Sequence, residues 1–182
     1  MNSSALSGGF LCTLLVILSS IVIQMRDQPP LNEYTSKNIS STKPYDSFEE
    51  FYVHYLGEHT LRITRLWHYL GTSLSLLYLL FNPKLSLAIF AGGLASYAVI
   101  PYTRHLTTGL VEMFVFLSIY LTNGKLLTNS FVKTLLPLVL GYGCSWIGHF
   151  VFERNKPAAF ANPTYSFFGD IHMMYEAIKA TF

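Results

Sequence analysis

Charge is scarce in this 182-residue chain: Asp, Glu, Lys and Arg make up 12% of it, against about 25% in an ordinary soluble domain. What charge there is nearly cancels, leaving +2, so the chain has no basic field of the kind that nucleic-acid binding requires. Cysteine is almost absent. Cys12 and Cys144 both lie in apolar runs and form no CxxC pair, which excludes a disulfide framework and a zinc finger. A GxSxG elbow, an HExxH sequence and a Walker loop are also missing, and with them three common catalytic templates. Disorder over most of the length is excluded too, because disordered chains are poor in apolar residues and rich in charge.

The composition is instead 51% hydrophobic and 15% aromatic, which leaves a membrane protein or an unusually apolar helical bundle. Residues 5–25 carry no charge and are long enough to span a bilayer. With no Lys or Arg before the run and no clear small-x-small site after it, an uncleaved anchor is favoured over a signal peptide. The next segment is polar and rich in Pro, Ser, Thr and Asn, as a linker is. Within it Asn38-Ile39-Ser40 matches a glycosylation acceptor, relevant only if the linker faces a secretory lumen. The domain organisation read from this pattern is an anchor or signal at 1–27, a linker at 28–46 and a helical membrane domain at 47–182.

Ser47 followed by Glu50 resembles a capping box, and Phe48, Phe51, Tyr52, Tyr55 and His59 recur at helical spacing on one face. Four apolar stretches follow, at about 66–81, 85–100, 106–122 and 131–152, separated by Asn82-Pro83, Pro101 to His105 and Asn123 to Asn129. Each is near the lower length limit for crossing a bilayer. The expected fold is therefore all-α, a multi-pass helical membrane protein with about four short transmembrane helices. If all four span, Arg62, Arg65, Arg104, Arg154 and Lys156 flank one side and Lys84, Lys125 and Lys133 the other, and the basic excess puts the first side in the cytoplasm. Of the six histidines, His59, His68, His105, His149 and His172 fall at or near that same side.

His59 and His68, nine residues apart, would point to opposite sides of an unbroken helix. They can reach one metal only if the chain bends between them, and residues 60–64, after Gly57, offer a place for it. Alone, each reads as readily as a hydrogen-bonded interface residue. His149 and Glu153 share a face of an α-helix. That pair fits either a His–Glu hydrogen bond pinning a helix end or a metal ligand with an accompanying carboxylate. His172 and Glu176 repeat the spacing on a segment that a solvated face explains. Glu112 is an acid inside an apolar stretch, a functional candidate by default unless it faces water near the chain's bend. The HxxxH and HxxHH clusters of membrane di-iron hydroxylases are absent, so that reading fails.

Tyr55-Leu56-Gly57-Glu58-His59 followed by Arg65-Leu66-Trp67-His68-Tyr69-Leu70-Gly71-Thr72 resembles the first motif of the Mpo-like family of small membrane proteins. That family is typified by the yeast endoplasmic-reticulum 2-hydroxy fatty acid dioxygenase. Gly148-His149, Glu153 and Pro157-Ala158 resemble its second motif, and the likeness covers residues 48–176. Thr64 departs from the asparagine that many relatives carry before the second histidine. The resemblance implies an integral membrane protein, of the endoplasmic reticulum if eukaryotic. It also implies an Fe(2+)-dependent dioxygenase that shortens a 2-hydroxy fatty acid by one carbon with O2, the α-oxidation step of phytosphingosine breakdown. It maps the iron ligands onto His59, His68 and His149, with Glu153 on an acidic position of the second motif as the candidate catalytic residue.

Imidazoles with open positions suit Fe(II) able to bind O2 and a 2-hydroxycarboxylate. Arg62 or Arg65 could pair with the substrate carboxylate, or serve only as flank charges that orient the domain. Two alternatives remain open at this level. One is a non-catalytic membrane protein that binds lipid or a partner. The other is a metal-dependent enzyme of another class, such as a zinc hydrolase.

Overall fold

The computed structural model describes Tyr45 and residues 47–180. The expected anchor, almost all of the linker and the Asn38 acceptor lie outside the described residues. Within them the chain is all-helical: α1 (Phe48–Gly57), α2 (Arg62–Leu80), α3 (Pro83–Thr103), α4 (Leu110–Thr128), α5 (Phe131–Ile147) and α6 (Pro163–Lys179). A π-helical turn, Gly148–Glu153, continues α5, and a 3-10 turn, Ala158–Phe160, precedes α6.

Local sequence explains most of the boundaries. Ser47 Oγ accepts the Glu50 N–H at 3.2 Å, with Glu49 and Glu50 in the first turn, where acids stabilise the positive end of the helix dipole. Ser130 caps α5 in the same way, accepting from the Lys133 N–H. Pro83 and Pro163 open α3 and α6, where a missing N–H costs nothing. Asn129 ends α4 in the left-handed conformation, at φ 54°.

The helices pack as two pairs, α2 with α5 and α3 with α4, which meet each other more sparsely; α6 lies across both and covers α1. In the α2–α5 pair the approach is close at Gly71. A Cβ there would lie 2.7 Å from Cys144 Cβ and 2.9 Å from the Gly141 carbonyl oxygen. The aromatic face expected on α1 is real: Phe51, Tyr52 and Tyr55 are buried with Tyr69, Met173 and Ala177 in one cluster.

Three helical segments, Pro83–Thr103, Leu110–Thr128 and Phe131–Glu153, are long and apolar enough to cross a membrane, and only 17–22% of each span is buried. Their outward faces carry Leu87, Phe90, Phe114, Val132 and Val139, side chains suited to lipid contact. The sequence counts a fourth span at 66–81. α2 occupies that place but is not among the three. Its buried face holds Thr64, Arg65, His68 and Ser73, polar groups turned into the protein that dilute its hydrophobicity.

Candidate metal centre

α1 stops at Gly57, residues 58–61 turn the chain, and α2 restarts at Arg62, so the bend that His59 and His68 require is present. His59 sits in that turn and His68 on the second turn of α2. His149 comes from the π-turn that closes α5. All three are buried, at 0%, 4% and 1% exposure. Their ring centroids lie 4.4–4.9 Å apart, each pair edge to face. One nitrogen from each lies within 4.8 Å of the others.

Hydrogen bonding fixes which nitrogens face inward. His59 Nδ1 donates to the Tyr55 carbonyl at 2.6 Å. His68 Nδ1 donates to Asp170 Oδ1 at 2.5 Å, and Tyr55 Oη donates to the same oxygen at 2.5 Å. His149 Nδ1 donates to Asn155 Oδ1 at 2.7 Å. The Asn155 amide is itself oriented, because its Nδ2 donates to the Glu58 carbonyl at 2.9 Å and to Glu58 Oε2 at 2.7 Å. With every Nδ1 used as a donor, neutral rings present three Nε2 lone pairs to one point. His59 Nε2 and His68 Nε2 are 3.2 Å apart, and two lone pairs at that distance repel unless a cation lies between them. Burial first, and then His68 and His149, hold the His59 pKa well below the usual imidazole value, so proton uptake there is disfavoured. The donor set fits a metal ion: three imidazole nitrogens, each ring held from behind by an oxygen in the manner of metal-binding histidines.

The other sequence candidates sit differently. Glu153 makes no hydrogen bond to His149, whose Nδ1 is taken by Asn155, and the segment between them is a π-turn rather than an α-helix. Glu153 Oε1 instead accepts from the Thr60 N–H at 2.8 Å and from Thr60 Oγ1, while Oε2 accepts from the Leu61 N–H at 3.0 Å and Thr64 Oγ1 at 2.6 Å. The carboxylate thus clamps the turn that carries His59 and caps the start of α2, where an anion is stabilised by the helix dipole. Arg65 is buried, and its Nε donates to the His59 carbonyl at 2.7 Å. Arg62 is exposed at the start of α2.

Of the remaining histidines, His172 pairs with Glu176 at 3.4 Å on a partly exposed face, His54 stacks on Tyr45, and His105 is exposed in the α3–α4 loop. Glu112 is buried at the start of α4, where its Oε1 accepts from Thr103 Oγ1 at 2.7 Å. Sequence reasoning did not find Asp170 or Asn155. Asp170 is 102 residues from His68, and Asn155 lies beyond the π-turn, so neither stands in a local pattern with its histidine.

A cavity of about 110 Å³ opens from this cluster between the two helix pairs. His68, His149, Tyr55 and Asp170 line one end, and Leu76, Leu79, Ile89, Phe116 and Leu138 line the rest. Leu76, Trp146 and Phe167 also line it and are 36%, 44% and 46% exposed, so the cavity reaches the apolar outer surface. Neither Arg62 nor Arg65 is among its walls.

No curated protein and no solved structure matches the chain. The family model described as 2-hydroxy-palmitic acid dioxygenase Mpo1-like matches residues 45–182, a range that contains all three clustered histidines and every helix above. The chain belongs to the 2-hydroxy-palmitic acid dioxygenase Mpo1-like family.

Proposed function

We propose that this protein is an Fe(II)-dependent dioxygenase that shortens 2-hydroxy fatty acids by one carbon within a membrane, that of the endoplasmic reticulum in a eukaryotic cell. The observation that carries the reading is the convergence of His59, His68 and His149 through their Nε2 atoms, each ring fixed by an oxygen partner on Nδ1. Those three nitrogens would hold the metal. Fe(II) bound there would supply O2 binding and electron transfer to it.

The chain's own residues supply the rest. Three neutral ligands leave the charge of a divalent cation uncompensated, which favours an anionic, oxygen-rich head group over a neutral one. No Lys or Arg lines the cavity, so a metal held by the three histidines would supply the carboxylate recognition that the sequence offered to Arg62 and Arg65. Arg65 serves instead as a positioning residue for the turn bearing His59, and Glu153 does the same through Thr60, Leu61 and Thr64. The aliphatic and aromatic walls take the acyl chain and keep water from the reacting head.

The test is elemental analysis of the purified protein together with O2 consumption on 2-hydroxyhexadecanoate. Iron near one equivalent and turnover with the 2-hydroxy acid are expected. Zinc in place of iron, or an iron-loaded protein with no turnover on any 2-hydroxy acid chain length, would overturn the assignment.

A further inference from the structure

Several polar atoms that line the cavity are engaged within the protein. Tyr55 Oη donates to Asp170, Ser75 Oγ to the Pro137 carbonyl at 2.7 Å, and Ser145 Oγ to the Gly141 carbonyl at 3.0 Å. Ser166 is different. It lines the cavity, is 6% exposed, and its Oγ has no hydrogen-bond partner. It lies on α6 four residues before Asp170, about 6 Å along the axis, and Asp170 holds His68. Ser166 therefore lines the same cavity as His68 and His149 and sits one helical turn from the residue that holds the His68 ring. A buried hydroxyl left without a partner is unfavourable, and a ligand oxygen that pairs with it recovers that loss.

We propose that Ser166 contacts the 2-hydroxyl of the bound fatty acid and sets the preference for hydroxylated over plain acyl chains. The inference rests on the proposed fatty-acid reading of the cavity and deepens it. Ser166 Oγ can donate to the substrate oxygen or accept its proton, and an unsubstituted acid would leave it unpaired. The discrimination therefore comes from a residue outside the histidine cluster.

The experiment compares equilibrium binding of 2-hydroxyhexadecanoate and hexadecanoate to the full-length protein in detergent, wild type against Ser166→Ala, with iron content and thermal stability measured on both. Expected are a wild-type preference for the hydroxylated acid and about a tenfold fall in that preference in Ser166→Ala, the size of one hydrogen bond. Affinity for hexadecanoate and iron content stay unchanged, and thermal stability is equal or higher because an unsatisfied group has been removed. Ser166→Thr, which restores a hydroxyl, recovers part of the preference. A Ser166→Ala protein that keeps the full preference, or loses affinity equally for both acids, overturns the assignment while leaving the fatty-acid reading standing. A wild-type protein that binds neither acid overturns both.

Discussion

At the scale of single residues, the oxygens behind the imidazoles matter as much as the imidazoles. Removing any of His59, His68 or His149 takes one nitrogen from a three-nitrogen set, so each change to Ala is expected to abolish stoichiometric metal. Asp170→Asn is more discriminating. It keeps the volume but weakens the acceptor for His68 Nδ1, and losses of about 10–100-fold in metal affinity accompany such changes elsewhere. Metal titration with circular dichroism as a folding control tests this, and unchanged affinity would remove Asp170 from the site. Acid gives a second test. The folded His59 pKa is depressed below the ordinary value of 6.5, so below about pH 6.5 the unfolded chain takes up a proton that the folded chain resists. Stability of the metal-free protein should then fall as pH drops through that value, and His59→Gln should flatten the slope. Melting curves between pH 5 and 8 measure it.

At the scale of elements, two devices bring distant histidines together, and they differ in how visible they are in sequence. The break between α1 and α2 was readable, since nine residues on one helix cannot point two rings at one place and Gly57 marks where the chain turns. The π-turn at Gly148–Glu153 was not. A single extra residue in a helical turn leaves the hydrophobic pattern almost intact, so the His149–Glu153 spacing read as a shared α-helical face. The structure gives His149 to Asn155 and Glu153 to the opposite turn. Deleting the half-exposed Phe150 should convert the π-turn into an α-turn and rotate Glu153 and Asn155 by roughly 100° relative to His149. Helical content would survive while metal binding is lost, as circular dichroism and elemental analysis would show; retained metal would mean the π-turn is not needed. The α2–α5 contact gives a purely structural test. Gly71→Ala places a Cβ against Cys144 and the Gly141 carbonyl, and overpacking of this kind costs about 1–3 kcal/mol, measurable as a lower melting temperature in detergent.

At the scale of the whole molecule, apolar composition and helix-breaking residues were enough to foresee an all-helical membrane fold. Among the described residues three helices are long and apolar enough to cross a membrane, and α2, which mixes apolar length with the polar groups that build the site, is not one of them. Two of the oxygen partners of the histidines were hidden for different reasons: Asp170 meets His68 only through packing of segments 102 residues apart, and Asn155 reaches His149 only across the π-turn. The outward faces of α3, α4 and α5 are expected to lie in lipid. Phe90→Arg or Val139→Arg should therefore oppose insertion by about 2.5–3.5 kcal/mol per charge at a central position, while His105→Arg in the exposed α3–α4 loop would be neutral. Carbonate extraction of membranes reads the difference.

The cavity's exposed rim of Leu76, Trp146 and Phe167 carries a kinetic consequence. A catalyst that takes its lipid through an apolar rim meets it by diffusion in two dimensions, so its rate tracks the substrate's mole fraction in the bilayer rather than its amount per volume of buffer. Diluting the vesicles with water should leave turnover unchanged, whereas diluting the substrate with inert phospholipid should slow it in proportion.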